Sequence, residues 1–359
     1  MSDLIQFLSD RDASPWAELV GFVPDEVSRE VRKANNADLL LTSVSRSAVV
    51  EVKLGHLMSN QQQEKYEALS SRPDLFLAAL ASDKLRLRNN AGRWSFLGLS
   101  DLVHRWEFAD DELACGLASE AASVLRTWDQ MISAVFEARS KASWLPLSAL
   151  NQKFLARVVT RQIAHELKEH NRVAWAGVTS GGGLPIIQGR TPIRGEGNDR
   201  CFMAEVRWWE TKRGGELRFG VDFDARPPDS VEDEEVRRAA YDLAISMDAD
   251  IDFASLHAYL KTVRPDLAEL LSRDKRSRPG AKGDWEQVIV HGMKAAPLQG
   301  RKTNNRRTVT PGFFGDGALR FQAIVDIDFE RASARDLTEL IDATLTYLSN
   351  REPEATRSC

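Results

Sequence analysis

The sequence predicts an α/β N-terminal domain built on a mixed sheet flanked by helices, then a helical connector, then an α+β C-terminal domain. Three observations lead there. Short apolar and alternating segments interleave with helix-patterned segments over residues 1–108. Two long apolar stripes at three-to-four spacing occupy 109–170. From 171 to 350 the texture changes to strands and turns, and 351–359 reads as a frayed tail.

The elements follow in order. "SDLIQFLSD" patterns as a short helix with Leu4, Ile5, Phe7 and Leu8 on its apolar side. "VSREVRK", residues 27–33, alternates with period two and reads as a strand. "ADLLLTSV" and "AVVEVKLG" read as two more strands, joined by a two-residue turn at Ser45-Arg46. "NQQQEKYEALSS" is a helix, "DLFLAALA" a short buried strand, and "GRWSFLGLSDLVHRW" a strand and a helix. That order suits a mixed sheet with helices on its faces. A helix from Asp111 to Arg139 carries Leu113, Leu117, Ala121, Leu125, Trp128, Ile132 and Phe136 as its stripe, with Asp110 as N-cap. A second, from Leu147 to Glu169, turns Leu150, Phe154, Val158, Ile163 and Leu167 inward. Beyond it, "RVAWAGV", "CFMAEVRWW", "ELRFGVDFD", "EQVIVHGM" and "ALRFQAIVDIDF" read as strands. Helices are expected over 232–247, over 254–272 and over "ARDLTELIDATLTYL". "GELRFGVDFD" and "GALRFQAIVDIDF" echo each other, and each precedes a helix.

Composition narrows the function classes. With 359 residues, 43% of them hydrophobic, the chain can fill one or two cores. A net charge of −5 excludes a polycation, so any nucleic-acid contact must come from local basic patches. "RDKRSRPGAKG" at 273–283 and "GRKTNNRRT" at 300–308 are two such patches. Trp208 and Trp209 alternate faces of a strand, with core packing the default for both and base stacking or a partner contact the alternative for one of them. "TSGGGLP" at 179–185 lacks the Lys-Ser/Thr of a phosphate loop and reads as a turn. Cys115, Cys201 and Cys359 have no metal-ligand spacing and form no disulfide framework, which points to a reducing, cytoplasmic compartment. His165, His170, His257 and His291 show no ligand spacing either, and His56, three residues after Lys53, reads as a loop histidine that could also border that residue's site. No signal-peptide pattern opens the chain and no apolar run reaches the ~18 residues of a membrane helix, so no membrane partner is expected.

The residues that ask for chemistry are Asp38, ahead of one apolar run, and Glu51 and Lys53, inside the next. With a turn at Ser45-Arg46, Asp38 lies opposite Lys53 and Leu40 opposite Glu51, so all three charges share one face. Leu39, Leu41, Val50 and Val52 take the other. Diagonal neighbours in such a pair stand ~7–8 Å apart, a separation that lets two carboxylates converge on one cation. A one-residue slip would scatter them. Oxygen ligands suit a hard cation such as Mg²⁺, with the Val52 carbonyl as a third donor. Lys53 could orient or deprotonate a bound water, or stabilise charge developing on phosphorus. The bland reading is a solvated edge strand, but "AVVEVKLG" is too apolar for an edge. A buried charge costs several kcal/mol unless paired or metal-bound.

An acidic residue on one strand followed by Glu-X-Lys on the next resembles the PD-(D/E)XK nuclease superfamily, over about residues 1–108. The resemblance implies a restriction-endonuclease-like fold in which Asp38 and Glu51 bind the metal and Lys53 assists the attacking water. "QQEKY" resembles the Gln-X-X-X-Tyr helix of one large branch, which implies that Gln62 and Tyr66 border the site and contact substrate. That branch often adds an acidic residue in its first helix, for which Glu18 in "SPWAELVGF" and Glu30 are candidates. Two departures stand out: Ala37 replaces a frequent proline, and "NNAD" lacks a glycine-rich lead-in. The implied activity is Mg²⁺-dependent phosphodiester hydrolysis, with Mn²⁺ able to substitute. Nucleic acid is the implied partner, DNA ahead of RNA, and a bacterial defence or restriction role the implied setting. The C-terminal domain is expected to supply recognition, regulation or a partner surface, a homodimer included. Two other classes stay open: a catalytically silent nucleic-acid-binding member, and a sensor or interaction protein with a triggered nuclease effector.

Overall fold

Residues 1–134 with 150–159 form one unit, and 135–149 with 160–359 a second. The computed structural model describes residues 1–55, 58–86, 93–150, 153–179, 184–194, 200–208, 214–223, 234–273, 289 and 319–352.

In the first unit, α1 (Ser2–Arg11) and α2 (Trp16–Val20) lead into a five-stranded mixed sheet. Its order is β1 (Glu26–Ser28), β2 (Leu39–Thr42), β3 (Ser47–Lys53), β4 (Asp74–Ala79) and β5 (Trp94–Gly98). The first three strands run antiparallel; β4 and β5 run parallel to β3. Parallel neighbours need a crossover, and α3 (Asn60–Glu67) supplies it between β3 and β4. Ser59 caps that helix by accepting the Gln62 N–H at 3.1 Å. β3 is apolar on both faces. Ala48 and Val50 are buried with Leu39 and Leu41, while Val49 packs with Leu75, Leu77, Trp94 and Tyr66 of α3. Two covered faces explain the near-continuous apolar run in "SAVVEVK". α4 (Leu99–His104) and α5 (Glu112–Val135) follow the sheet.

Several expectations need correction. The β2–β3 loop spans Ser43 to Arg46, with Thr42 paired to Ser47 and the Ser43 N–H donating to the Arg46 carbonyl at 2.8 Å. Arg46 is drawn out of the turn because its guanidinium is used elsewhere. It donates to the Gly21 carbonyl at 2.8 Å and to Asp74 at 2.9 Å, and it lies 4.9 Å over the Phe22 ring. The register therefore moves by two residues, which leaves every side chain on its expected face. The strand expected over 27–33 is only Glu26–Ser28. The chain leaves extended geometry at Glu30 (φ 50), turns over Arg32–Ala34, and passes Asn35 and Asn36 at φ 56 and 58. Asparagine tolerates that left-handed region better than most residues.

α5 lies in the first unit, and α6 (Lys153–Leu167) is divided between the two. The buried stripe of α5 is Ala114, Ala118, Ala122, Leu125 and Ile132, while Leu113, Leu117 and Val124 stay exposed. Small side chains let the helix approach closely. Asp129 then accepts the Ala81 N–H at 2.9 Å, and Trp128 meets Phe154 edge-on at 4.7 Å. Asp111, not Asp110, caps α5 by accepting the Ala114 N–H at 2.9 Å.

The second unit is built on a six-stranded antiparallel sheet. Its order is β10 (Leu271–Arg273), β11 (Leu319–Asp328), β9 (Gly214–Phe223), β8 (Arg200–Trp208), β7 (Ile186–Pro192) and β6 (Trp175–Thr179). Its helices are α7 (Glu234–Ser246), α8 (Phe253–Val263), α9 (Pro265–Ala268) and α10 (Ala334–Asn350). The helix expected over 254–272 stops before Pro265, whose ring and missing N–H break it. The chain then joins the sheet as β10. β7 lacks a clear strand signal in the sequence, since Pro185 precedes it and Pro192 ends it. The two echoing segments are β9 and β11, antiparallel neighbours from Phe223–Leu319 to Gly214–Asp328.

One face of this sheet is apolar, with Phe202, Val206, Phe219, Val221, Phe321 and Val325 buried. α10 lies on it closely enough that a Cβ on Gly189 would sit 2.8 Å from Ile341. The opposite face carries buried charge. Glu205, Glu216 and Asp222 are each under 5% exposed. Glu205 pairs with Arg207, Glu216 with Arg218, and Asp222 with Arg190 and Arg320 at 3.1 and 3.0 Å. Trp208 lies on the apolar face, edge-on to Phe329 at 5.0 Å, and serves the core. "EQVIVHGM" apart from Ile289, the basic segments apart from Arg273, residues 180–183, His56, Trp209 and residues 353–359 lie outside the described residues. Among the described residues no helix is long and apolar enough to cross a membrane.

Gly55 closes the turn after β3 at φ 75, where an added Cβ would lie 2.6 Å from the Phe154 Cβ. Gly55→Ala should destabilise the protein by about 2–4 kcal/mol through backbone strain and overpacking, read as a lowered urea midpoint.

Candidate active site

The site begins where β2 ends. Its last pair toward the N-terminus is Leu39 with Val50, and Asp38 is the residue just before that pair. Past Val50 the β3 edge has no ladder partner on that side, and Asp38 supplies one. Its Oδ2 accepts the Val52 N–H at 2.8 Å. The N–H and C=O of one strand residue leave the same edge, so the Val52 carbonyl turns to the Asp38 side as well.

Glu51 is 2% exposed, on the face of β3 that α3 covers. Three donors answer its carboxylate. Oε1 accepts from the Lys53 ammonium and, at 2.6 Å, from Gln62 Nε2. Oε2 accepts the Tyr66 hydroxyl at 2.7 Å. Lys53, two residues on and so on the same face, also holds its Nζ 3.9 Å from Asp38 Oδ2. The structure thus brings Asp38, Glu51, Lys53, Gln62 and Tyr66 into one cluster. Gln62 and Tyr66 reach it because residues four apart share a helix face.

Neighbours fix these donors. The Trp94 ring meets Tyr66 edge-on at 6.0 Å, and its Nε1 donates to Glu67 at 2.9 Å, which ties β5 to α3. Asn35 donates to the Lys65 carbonyl at 2.9 Å, which ties the loop before Asp38 to the same helix. Sequence reasoning missed both residues. An aromatic at the start of a strand and an asparagine before a turn are the weak signals that mark them.

Electrostatics follow from burial. Asp38 has its pKa raised, first by desolvation and next by the Glu51 charge. The Val52 N–H and Lys53 pull it part of the way back. The Tyr66 phenol is also pushed up, by burial first and then by its bond to Glu51, so it remains a donor at neutral pH.

Glu18 and Glu30 are not brought to this cluster. Glu18 is exposed on α2 and accepts from Arg105 at 2.7 Å. Glu30 is exposed in its left-handed turn, its N–H on the Ala37 carbonyl at 2.9 Å. Among the described residues no group of three or more His, Cys, Asp and Glu side chains could hold a metal ion. Asp38, Glu51 and the Val52 carbonyl could offer a metal two carboxylates and one main-chain oxygen. All are oxygens, which fits a hard divalent cation that keeps most of its waters.

Two outcomes are expected. A raised pKa means that the fold prefers Asp38 protonated, so its ionisation destabilises the metal-free protein as pH climbs above the ordinary 3.8. Asp38→Asn should therefore melt higher than wild type in EDTA at neutral pH, with the gap closing toward acid. Tyr66→Phe strips a donor from a buried carboxylate and should cost about 1–3 kcal/mol in chemical denaturation.

Compared with protein-family models, with curated proteins and with solved structures, the chain finds no match.

Proposed function

We propose that the N-terminal unit is a Mg²⁺-dependent nuclease of the PD-(D/E)XK type, with a restriction-endonuclease-like core, that hydrolyses phosphodiester bonds in DNA. The observation that carries this reading is the convergence of Asp38, just ahead of β2, and Glu51 of β3 on the Lys53 ammonium, with Gln62 and Tyr66 bonded to Glu51. Asp38, Glu51 and the Val52 carbonyl would hold the cation. When bound, it neutralises a phosphodiester oxygen and acidifies a water.

The rest falls to the chain's own side chains. Gln62 and Tyr66 hold the Glu51 carboxylate in one orientation, so its oxygens need no rearrangement during the reaction. Lys53 is the one ammonium in contact with both carboxylates among the described residues. It can orient the attacking water and meet negative charge as it grows on phosphorus. The Asp38–Val52 bond holds the β3 edge in place, and with it the carbonyl that serves as third ligand.

The test is cleavage of plasmid, linear duplex and single strands in Mg²⁺ or Mn²⁺. Cleavage should vanish in EDTA. Glu51→Ala and Lys53→Ala should each lower the rate by about 10³-fold or more while the fold persists. Unchanged activity in either variant refutes the site. Binding without cleavage in both metals would instead favour a silent DNA-binding protein.

A further inference from the structure

We propose that the Lys53 ammonium stands in for the divalent cation, holding Asp38 and Glu51 together whenever metal is absent, and that metal binding must displace it from Glu51. This rests on the nuclease reading of the same site.

The placement carries the inference. Lys53 Nζ is bonded to Glu51 Oε1 and lies 3.9 Å from Asp38 Oδ2, so one positive charge bridges the two carboxylates from which a metal would take its oxygens. Its side chain is only 16% exposed, although a lysine at a strand end could extend into water. Across β4 its neighbour is Ala79, too small to steer it. The bond to Glu51 therefore sets its direction.

The two carboxylates need such a charge. Glu51 is nearly cut off from solvent, so water screens its repulsion of Asp38 poorly. Gln62 and Tyr66 satisfy its oxygens but bring no positive charge. Among the described residues no other lysine or arginine pairs with Asp38 or Glu51. An ammonium and a divalent ion cannot share that position, so the lysine lowers metal affinity while it preserves the site. Once displaced, Lys53 is released to face the substrate. Its catalytic placement is then coupled to metal loading.

The experiment compares wild type, Lys53→Met, Lys53→Gln and Glu51→Gln as full chains without nucleic acid. Ca²⁺ binding is measured by calorimetry, and thermal melting in EDTA and in saturating Ca²⁺. Lys53→Met should bind Ca²⁺ about tenfold more tightly than wild type, since a like charge has left the site. It should melt below wild type in EDTA and lose that deficit in Ca²⁺. A variant that folds only with Ca²⁺ present gives the same support. Lys53→Gln keeps a neutral donor near Glu51 and should follow Lys53→Met. Wild-type affinity in either Lys53 variant, with binding abolished in Glu51→Gln, overturns the stand-in role but leaves the metal site intact. Absence of Ca²⁺ binding in every protein removes the metal site and this inference with it.

Discussion

A carboxylate taken almost wholly out of water must be met by donors, and at Glu51 that requirement organises the neighbourhood. Lys53 apart, the side chain lies on a sheet face packed with aliphatic and aromatic residues, where an unanswered charge would cost several kcal/mol. Gln62, Tyr66 and Lys53 answer it. Each depends on something further out. α3 must cross the sheet at the height that brings its second turn over β3. Trp94 must hold the Tyr66 ring, and Ser59 must start the helix where it does. The donors thus tie the packing of α3 and β5 to this one carboxylate.

Asp38 shows the opposite balance. Its raised pKa marks an ionised group that the fold disfavours, and a bond to Val52 only partly compensates. Residues kept against the interest of stability are common where a protein acts on something. The left-handed backbone at Glu30, Asn35 and Asn36 lies in the short segment that delivers Asp38, so strain and unfavourable charge fall in one stretch of chain.

The grouping of Asp38, Glu51 and Lys53 was legible from sequence for a reason that tolerates error. Side chains on a strand repeat every two residues, so misplacing the turn by two changes the opposing partners and leaves the faces untouched. Gln62 and Tyr66 were legible through helical spacing. What escaped was whatever depends on distant partners. Arg46 leaves its turn because Gly21 and Asp74 are waiting for it. α5 turns its alanines inward, though its leucines make the more obvious stripe. Glu18 finds Arg105, far along the chain. The charged face of the second sheet is written plainly as Glu-X-Arg in "AEVRW" and "GELRF". Burial on that face, unlike alternation, cannot be inferred from one strand.

That second sheet lacks the tolerance of the first. β8 and β9 set Glu205 against Arg218 and Arg207 against Glu216. Misalignment by one would drive charge into the aliphatic side. Misalignment by two, which in the N-terminal hairpin would leave every side chain on its face, would here oppose Glu205 to Glu216 in one direction and Arg207 to Arg218 in the other. Like charges brought together out of water are costly. The crossed pairs therefore act as a keyed lock: each admits one frame and rejects both neighbouring frames of equal parity. Assembly fidelity in the second unit is thus encoded electrostatically, where hydrophobic patterning alone would leave it ambiguous.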